Sequence, residues 1–388
     1  MKITALTPYI CDCFRTNWVF LKVETDEGIY GWGEASLEYR EQTVAEAMVE
    51  IGRSVIGRNA GDIQSIWDDV NREVYYRGGP VYMSALGAVE MALWDIKGKA
   101  LGVPVYELLG GKVRDGIQCY ANAWFTGARK PEEFAEKAKV AIESGYKGLK
   151  WDPFGKSYLD ASPEVMKTAE ACVAAVAEVV DGRAELLIEG HGRFNVPTAK
   201  RISDMLSAFN VAWFEEPLPP GNLEALADVR RYSRVPIAAG ERLYSRWEYI
   251  PFFEAKAADF VQADVIHAGG ILELRRIADM AEAHYIPCCP HNPCGPVANA
   301  ATLHVAALSN NVIRLETMAT DVNWRKDVAR EDAEFADGFL TIPNTPGLGV
   351  DIDIEAMKEH PYQPRALRHY DGTLTDIRPQ DSGYIFKN

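Results

Sequence analysis

The sequence predicts a (β/α)8 (TIM-type) barrel, an α/β fold, preceded by a smaller α+β domain. Three observations carry that expectation. From about residue 117 short apolar runs alternate with amphipathic helical stretches; eight such runs occur; and six of them end in an ionisable residue at nearly equal intervals. Continuous rather than alternating apolar runs mean strands buried on both faces, as in a parallel sheet. Eight strand–helix units within about 240 residues fit a closed barrel better than an open sheet.

In chain order, WVFLKVETDEGIYGWGEA holds two strand-like runs around the Asp26-Glu27-Gly28 turn, so the first 35 residues or so read as a β-hairpin. Helical periodicity follows in EQTVAEAMVEIGRSVIG and in SALGAVEMALWDIKGKALG, the second closed by Gly102. Strands followed by a run of helices predict an α+β capping domain over residues 1–115. The barrel, 116–349, then draws its strands from IQCYANAW, YKGLKWD, AELLIEG, VAWFEEP, VPIAAGE, ADFVQADV, YIPCCPH and NVIRLET. The rival is a doubly wound sheet, but no GxGxxG stands at a first strand–helix junction. The less regular tail, 350–388, is expected to pack back on the N-terminal domain.

Composition narrows the function classes. A net charge of -15 argues against nucleic acid, whose binding needs a positive field. No stretch approaches the roughly 18 apolar residues that cross a bilayer, and MKITALTPYICDCF does not read as a secretory leader. Seven cysteines without a CxxC pair suit a reducing compartment, with Cys288 and Cys289 expected to pack as apolar residues. The expected setting is the cytoplasm, with a small-molecule substrate and neither nucleic acid nor membrane as partner.

The strand ends carry the chemistry. Glu189, Glu215, Glu241, Asp264, His291 and Glu316 follow one another at intervals of 26, 26, 23, 27 and 25 residues. One interval is one strand–helix unit, so all six belong at the C-terminal mouth, where barrel active sites form. Three carboxylates in a desolvated mouth need a cation, and oxygen donors suit Mg2+ or Mn2+ rather than zinc. In FEEP, alternation lets only one glutamate face the mouth, and equal levels favour Glu215 over Glu216. Asp264 can fix the tautomer of His291 from the neighbouring strand. His191, two residues beyond Glu189, is expected on the same strand face, pointing to the same metal. Lys150 can bind a carboxylate or act as a base, and Asp152 can hold substrate hydroxyls.

These segments resemble the enolase superfamily, in its mandelate racemase-like branch. The resemblance covers nearly the whole chain and rests on YYRGGPVYMSALGAVEMALWDIKGKALGVPVYELLGG, FEEPL, AAGER, VQADVIHAGGI, PHNPCGP and PGLGV. GLKWDPFG and LLIEGHGRFN are similar to sugar-acid dehydratases of the galactonate and gluconate type. The resemblance implies that Glu189, Glu215 and Glu241 bind one Mg2+ per subunit, with Mn2+ the alternative, and that this ion chelates the substrate carboxylate. It implies that His291, paired with Asp264, is the general base and His191 the general acid that expels the β-hydroxyl. Glu316 would hydrogen-bond a carboxylate oxygen. Loops near residues 11–18 and 75–79, with Trp18, Tyr76 and Arg77, would close over the mouth, Arg77 meeting the anionic substrate.

Two departures from the family pattern stand out. The first ligand is Glu189, where Asp is common. Lys150-Trp151-Asp152 replaces the Lys-x-Lys of the racemases, which disfavours racemisation and favours dehydration. The expected function is therefore an aldonate dehydratase, a hydro-lyase giving a 2-keto-3-deoxy acid, in a homo-oligomer. The alternative is a cycloisomerase or epimerase of a sugar acid or its lactone; a non-catalytic, metal-binding relative is the different-class reading.

Overall fold

The computed structural model describes residues 1–365. At the N-terminus β1 (Ile3–Asp12), β2 (Asn17–Thr25) and β3 (Tyr30–Glu34) form an antiparallel sheet in sequential order. The hairpin read from the sequence is β2–β3, turned at Gly28, whose φ of 78° is open to glycine at no steric cost. The additional strand, β1, carries Pro8, which an edge strand tolerates because one of its sides needs no ladder donor. Helices α1 (Glu41–Val55), α2 (Ile63–Glu73) and α3 (Pro80–Leu101) follow, then the single turn α4 (Val105–Leu108).

The helix α3 is buried nearly all round because it is clamped between β3 and the barrel. Both contacts require glycine. A Cβ on Gly33 would stand 1.8 Å from the Ala88 carbonyl oxygen, and one on Gly87 would stand 2.6 Å from that of Ile266.

The barrel begins with β4 (Gly116–Asn122) and runs in parallel through β5 (Gly148–Trp151), β6 (Glu185–Glu189), β7 (Trp213–Glu215), β8 (Ile237–Ala239) and β9 (Phe260–Val261). The last strand, β10 (Leu315–Met318), pairs with β4. Between β9 and β10 the expected seventh strand, YIPCCPH, is reduced to bridges from Cys288 to Val261 and to Val312. Pro287 and Pro290 flank that dipeptide and supply no N–H donors, so a longer ladder cannot form. The ring nevertheless closes, with eight staves.

Outside it lie α5 (Pro131–Glu143), α6 (Pro163–Val180), α7 (Val196–Leu206), α8 (Leu223–Tyr232), α9 (Arg246–Glu254), α10 (Ile271–Ala283) and α11 (Pro296–Leu308). Tyr120, Leu187, Trp213, Ala238, Phe260 and Cys289 fill the barrel interior. Cys288 and Cys289 are both fully buried, as apolar packing requires.

After α12 (Arg325–Val328) the chain forms β11 (Ala329–Glu331), β12 (Phe335–Ala336) and β13 (Phe339–Thr341). The β12–β13 hairpin lies antiparallel on the first residues of β4 and covers the end of the barrel away from the site. Strand β14 (Val350–Ile352) pairs with β11, and α13 (Ile354–Lys358) follows. The chain then returns to the N-terminal sheet. The Asp12 amide donates to the His360 carbonyl at 2.9 Å, and the Gln363 amide to Asn17 Oδ1 at 2.9 Å. The rest of the expected tail, 366–388, lies outside the described residues. Among the described residues no helix is long and apolar enough to cross a membrane.

Two buried glutamates fasten the N-terminal elements to the mouth of the barrel. Glu34, at the end of β3, accepts the amides of Gly295, Val297 and Ala298 at 2.7–3.1 Å and so caps α11. Glu90, on α3, accepts those of Ile271 and Leu272 at 2.7 and 3.0 Å and caps α10. Neither helix has a side-chain cap of its own, because Gly295 and Gly270 stand at the N-cap positions. Glu34→Ala is therefore expected to cost about 2 kcal/mol or more of stability, from three orphaned buried donors. Denaturant unfolding at fixed pH measures it.

Candidate active site

The C-terminal strand ends and the turn at Cys13–Thr16 enclose a cavity of about 310 Å³. Of the residues singled out in the sequence, Trp18, Lys150, Asp152, Glu189, His191, Glu241 and His291 line it. Glu215, Asp264 and Glu316 stand behind that lining, each 1% exposed or less.

The third and fourth staves end in Glu189 and Glu215, Glu241 follows the fifth by two residues, and a carboxylate oxygen from each lies within 4.8 Å of the others. The second stave ends near Lys150, whose Nζ is 2.8 Å from Glu215, 3.4 Å from Glu189 and 2.7 Å from Glu316. Burial raises Glu189 to about 7, with Glu241 adding to it and Lys150 opposing. Glu215 goes well above the ordinary carboxylate range, through burial and then Glu189. Burial would raise Glu241 too, but His291, Lys150 and Arg242 outweigh it and hold it at about 2. One ammonium does not neutralise three converging carboxylates, so this donor set fits a hard divalent cation.

Lys150 is not placed as a base. Burial disfavours its charge, but Glu215, Glu316 and Glu189 more than compensate and push its pKa well above the ordinary lysine value. Glu316 likewise has its oxygens committed to Asn122 Nδ2 at 2.8 Å, the Asn292 amide at 3.0 Å and Lys150. It is withdrawn from the cavity, which Lys150 lines.

His291, on the seventh stave, has Nδ1 2.7 Å from Asp264 Oδ2 and Nε2 3.6 Å from Glu241 Oε2. Burial works against its charge, but Glu241 and the Asp264 bond prevail and push it up to about 10. Across the ring, on the third stave, His191 faces the same cavity. It arrives there differently from the expected continuation of a strand face: β6 ends at Glu189, and His191 has a left-handed φ of 51° between two glycines. Its amide donates to Glu189 Oε1 at 2.7 Å, and its Nδ1 lies 2.7 Å from Asp152 Oδ2.

The same effect alters the FEEP pair. β7 ends at Glu215, and Glu216 has a φ of 37°, so alternation stops between them. Glu216 therefore also reaches the cavity, where Arg242 Nη2 holds it at 2.5 Å. Only Glu215 joins the three-carboxylate cluster.

Tyr76 and Arg77 are not brought to the site. Tyr76 is 89% exposed, Arg77 is also exposed, and neither lines the cavity. Gly78 and Gly79, both with positive φ, lead directly into α3 and leave the preceding loop standing outward.

Several site residues had no signal in strand-end spacing. Arg15, paired with Glu38, and Arg242 line the cavity from turns. Arg193, fully buried, holds Asp152. His267 lines the cavity with Nδ1 2.9 Å from Ser84 Oγ of α3; it follows Asp264 by three residues, which was a usable clue.

Comparison with known proteins agrees with this geometry. Residues 12–110 match the mandelate racemase / muconate lactonizing enzyme N-terminal domain, and residues 133–357 match the enolase C-terminal domain-like family. The D-galactonate dehydratase of Ralstonia pickettii (strain 12J) is 40% identical over 97% of this chain and 100% of its own length. That of Variovorax paradoxus (strain S110) is 37% identical over the same shares. A mandelate racemase/muconate lactonizing enzyme structure from a Sulfitobacter species superposes with a TM-score of 0.88 at 30% identity, covering 94% of this chain and 96% of its own. An enolase-superfamily member from Salmonella Typhimurium gives 0.88 at 28%, covering 93% and 98%.

Proposed function

This chain belongs to the mandelate racemase / muconate lactonizing enzyme family of the enolase superfamily, and we propose that it dehydrates an aldonate, with D-galactonate the first substrate to test. The observation that carries the reading is the placement of two histidines, His291 and His191, on opposite staves across one three-carboxylate cluster. A dehydratase of this kind needs a base for the α-proton and a separate acid for the departing hydroxyl.

Glu189, Glu215 and Glu241 would hold Mg2+ in each subunit, Mn2+ being the alternative, with Lys150 beside them as a fixed positive charge. Bound there, the ion would supply the Lewis acid that acidifies the α-carbon of the substrate carboxylate, and it would offset the Glu241 charge that lies beside His291. His291 Nε2 then accepts the α-proton, while Asp264 keeps the ring proton on Nδ1 and the lone pair on the cavity side. From the other wall His191 donates a proton to the β-hydroxyl, and water leaves. Trp18 and Arg15, from the N-terminal elements, close the cavity over the rest of the substrate. Residues 1–115, with 350–365 returning to them, act as the cap over a barrel of 116–349. The enzyme works in the cytoplasm as a homo-oligomer.

Turnover of D-galactonate to a 2-keto-3-deoxy acid, lost on chelation and restored by Mg2+, is the test of this reading; no product from any aldonate contradicts it. Asp264→Asn bears on the base. It is expected to cut kcat about a hundredfold or more while metal affinity and the unfolding midpoint hold, since the wrong tautomer is favoured. Steady-state kinetics beside calorimetric metal titration read it out.

A further inference from the structure

We infer that Asp152, braced by the buried Arg193, is the positioning residue of the acid His191 rather than a binding group for substrate hydroxyls; the inference rests on the dehydratase reading above. Asp152 lies just past β5 at the edge of the cavity, where the sequence places it as a hydroxyl ligand. Its four lone-pair sites are already occupied. Oδ1 accepts from Arg193 Nη2 at 2.5 Å and from the Phe154 amide at 2.8 Å. Oδ2 accepts from Arg193 Nη2 at 2.6 Å and lies 2.7 Å from His191 Nδ1. A sugar hydroxyl could bind Asp152 only by displacing one of these.

The bracing is rigid. Arg193 has no exposed surface, and its Nη1 donates to the Gly155 carbonyl at 3.1 Å. Burial opposes the Asp152 charge, but Arg193 and His191 outweigh it and hold the carboxyl below its ordinary range. The carboxylate therefore remains an acceptor for Nδ1–H. His191 needs such a hold more than most residues, because it sits in a left-handed turn between Gly190 and Gly192 that fixes its backbone but not its ring. With Nδ1–H held by Asp152, Nε2 is the nitrogen turned to the cavity. In the elimination Nε2 gives its proton to the β-oxygen, the C–O bond breaks, and the electron pair left on the α-carbon forms the C=C bond. Water departs, and His191 is left neutral with its remaining proton on Nδ1, still bonded to Asp152. The arrangement repeats, on the acid side, the Asp264–His291 pair of the base side.

The test compares Asp152→Asn with wild type in three readouts on D-galactonate: kcat, KM, and exchange of the α-proton with deuterium from solvent. A positioning role gives a kcat for dehydration lower by about a hundredfold, with KM and the exchange rate within about twofold of wild type. Arg193→Lys, which keeps the positive charge but cannot hold Asp152 and the Gly155 carbonyl through two separate nitrogens, gives a smaller loss of kcat, about tenfold, again with exchange kept. This second variant carries the test if Asp152→Asn does not fold. A raised KM with kcat retained, or parallel loss of exchange and dehydration in both variants, overturns the assignment. Wild-type enzyme that exchanges the α-proton but eliminates nothing instead overturns the dehydratase reading on which it rests.

Discussion

His191→Asn is expected to lose dehydration by about a thousandfold while still exchanging the substrate α-proton with solvent deuterium. His291→Asn is expected to lose both. The difference follows from where the two rings stand. His291 Nε2 faces the cavity beside Glu241, with its other nitrogen fixed 2.7 Å from Asp264, so removing it leaves nothing to take the α-proton. His191 stands on the opposite stave and, in the proposed mechanism, serves only the departing hydroxyl. Without it the enolate forms, waits, and is reprotonated by His291, whose proton has meanwhile exchanged with water. Deuterium uptake into recovered substrate, followed by proton NMR beside product formation, measures both. If His291→Asn exchanges and His191→Asn does not, the two roles are reversed.

Glu215→Gln should be nearly as damaging. Glu215 belongs to the cluster in which three carboxylate oxygens lie within 4.8 Å, whereas Glu216 is held by Arg242 outside it. Losing one of three anionic ligands should weaken Mg2+ binding by at least about a hundredfold, close to the loss on chelating wild-type enzyme, and more than Glu216→Gln does. Isothermal titration with Mg2+ distinguishes the two variants directly. The substitution also leaves Lys150 with one carboxylate fewer, so the ammonium competes less with the metal. That compensation is partial, because Lys150 keeps Glu316 at 2.7 Å and Glu189 at 3.4 Å.

Much of this site is legible in the sequence. The spacing of Glu189, Glu215, Glu241, Asp264 and His291 reports the strand–helix repeat itself, and a barrel brings one strand end after another to a common mouth. What strand logic reads well it also limits. Alternation holds only while the backbone is extended, and it stops applying one or two residues past a strand end. Glu216 and His191 each take a left-handed φ there, and each reaches the cavity by a turn. The seventh strand is shorter than the sequence predicts, because an apolar YIPCC looks continuous whereas its prolines break the ladder. Strand logic does not find Arg193 and Arg15, since a cation on a turn is defined by its partners, Asp152 and Glu38, which lie 41 and 23 residues away in sequence. Tyr76 and Arg77 show the converse. They stand at the start of a segment of strong family resemblance, yet they project from a glycine-ended loop into solvent.

The most direct measurement is an NMR time course of D-galactonate incubated with the Mg2+-loaded enzyme in deuterium oxide. The expected result is a 2-keto-3-deoxy acid carrying solvent deuterium at carbon 3, because removal of the α-proton and loss of the β-hydroxyl leave an enol that takes its new hydrogen from the medium. Recovery of a C2 epimer or a lactone in place of the keto acid, or of substrate with its α-proton intact and no product, would contradict it.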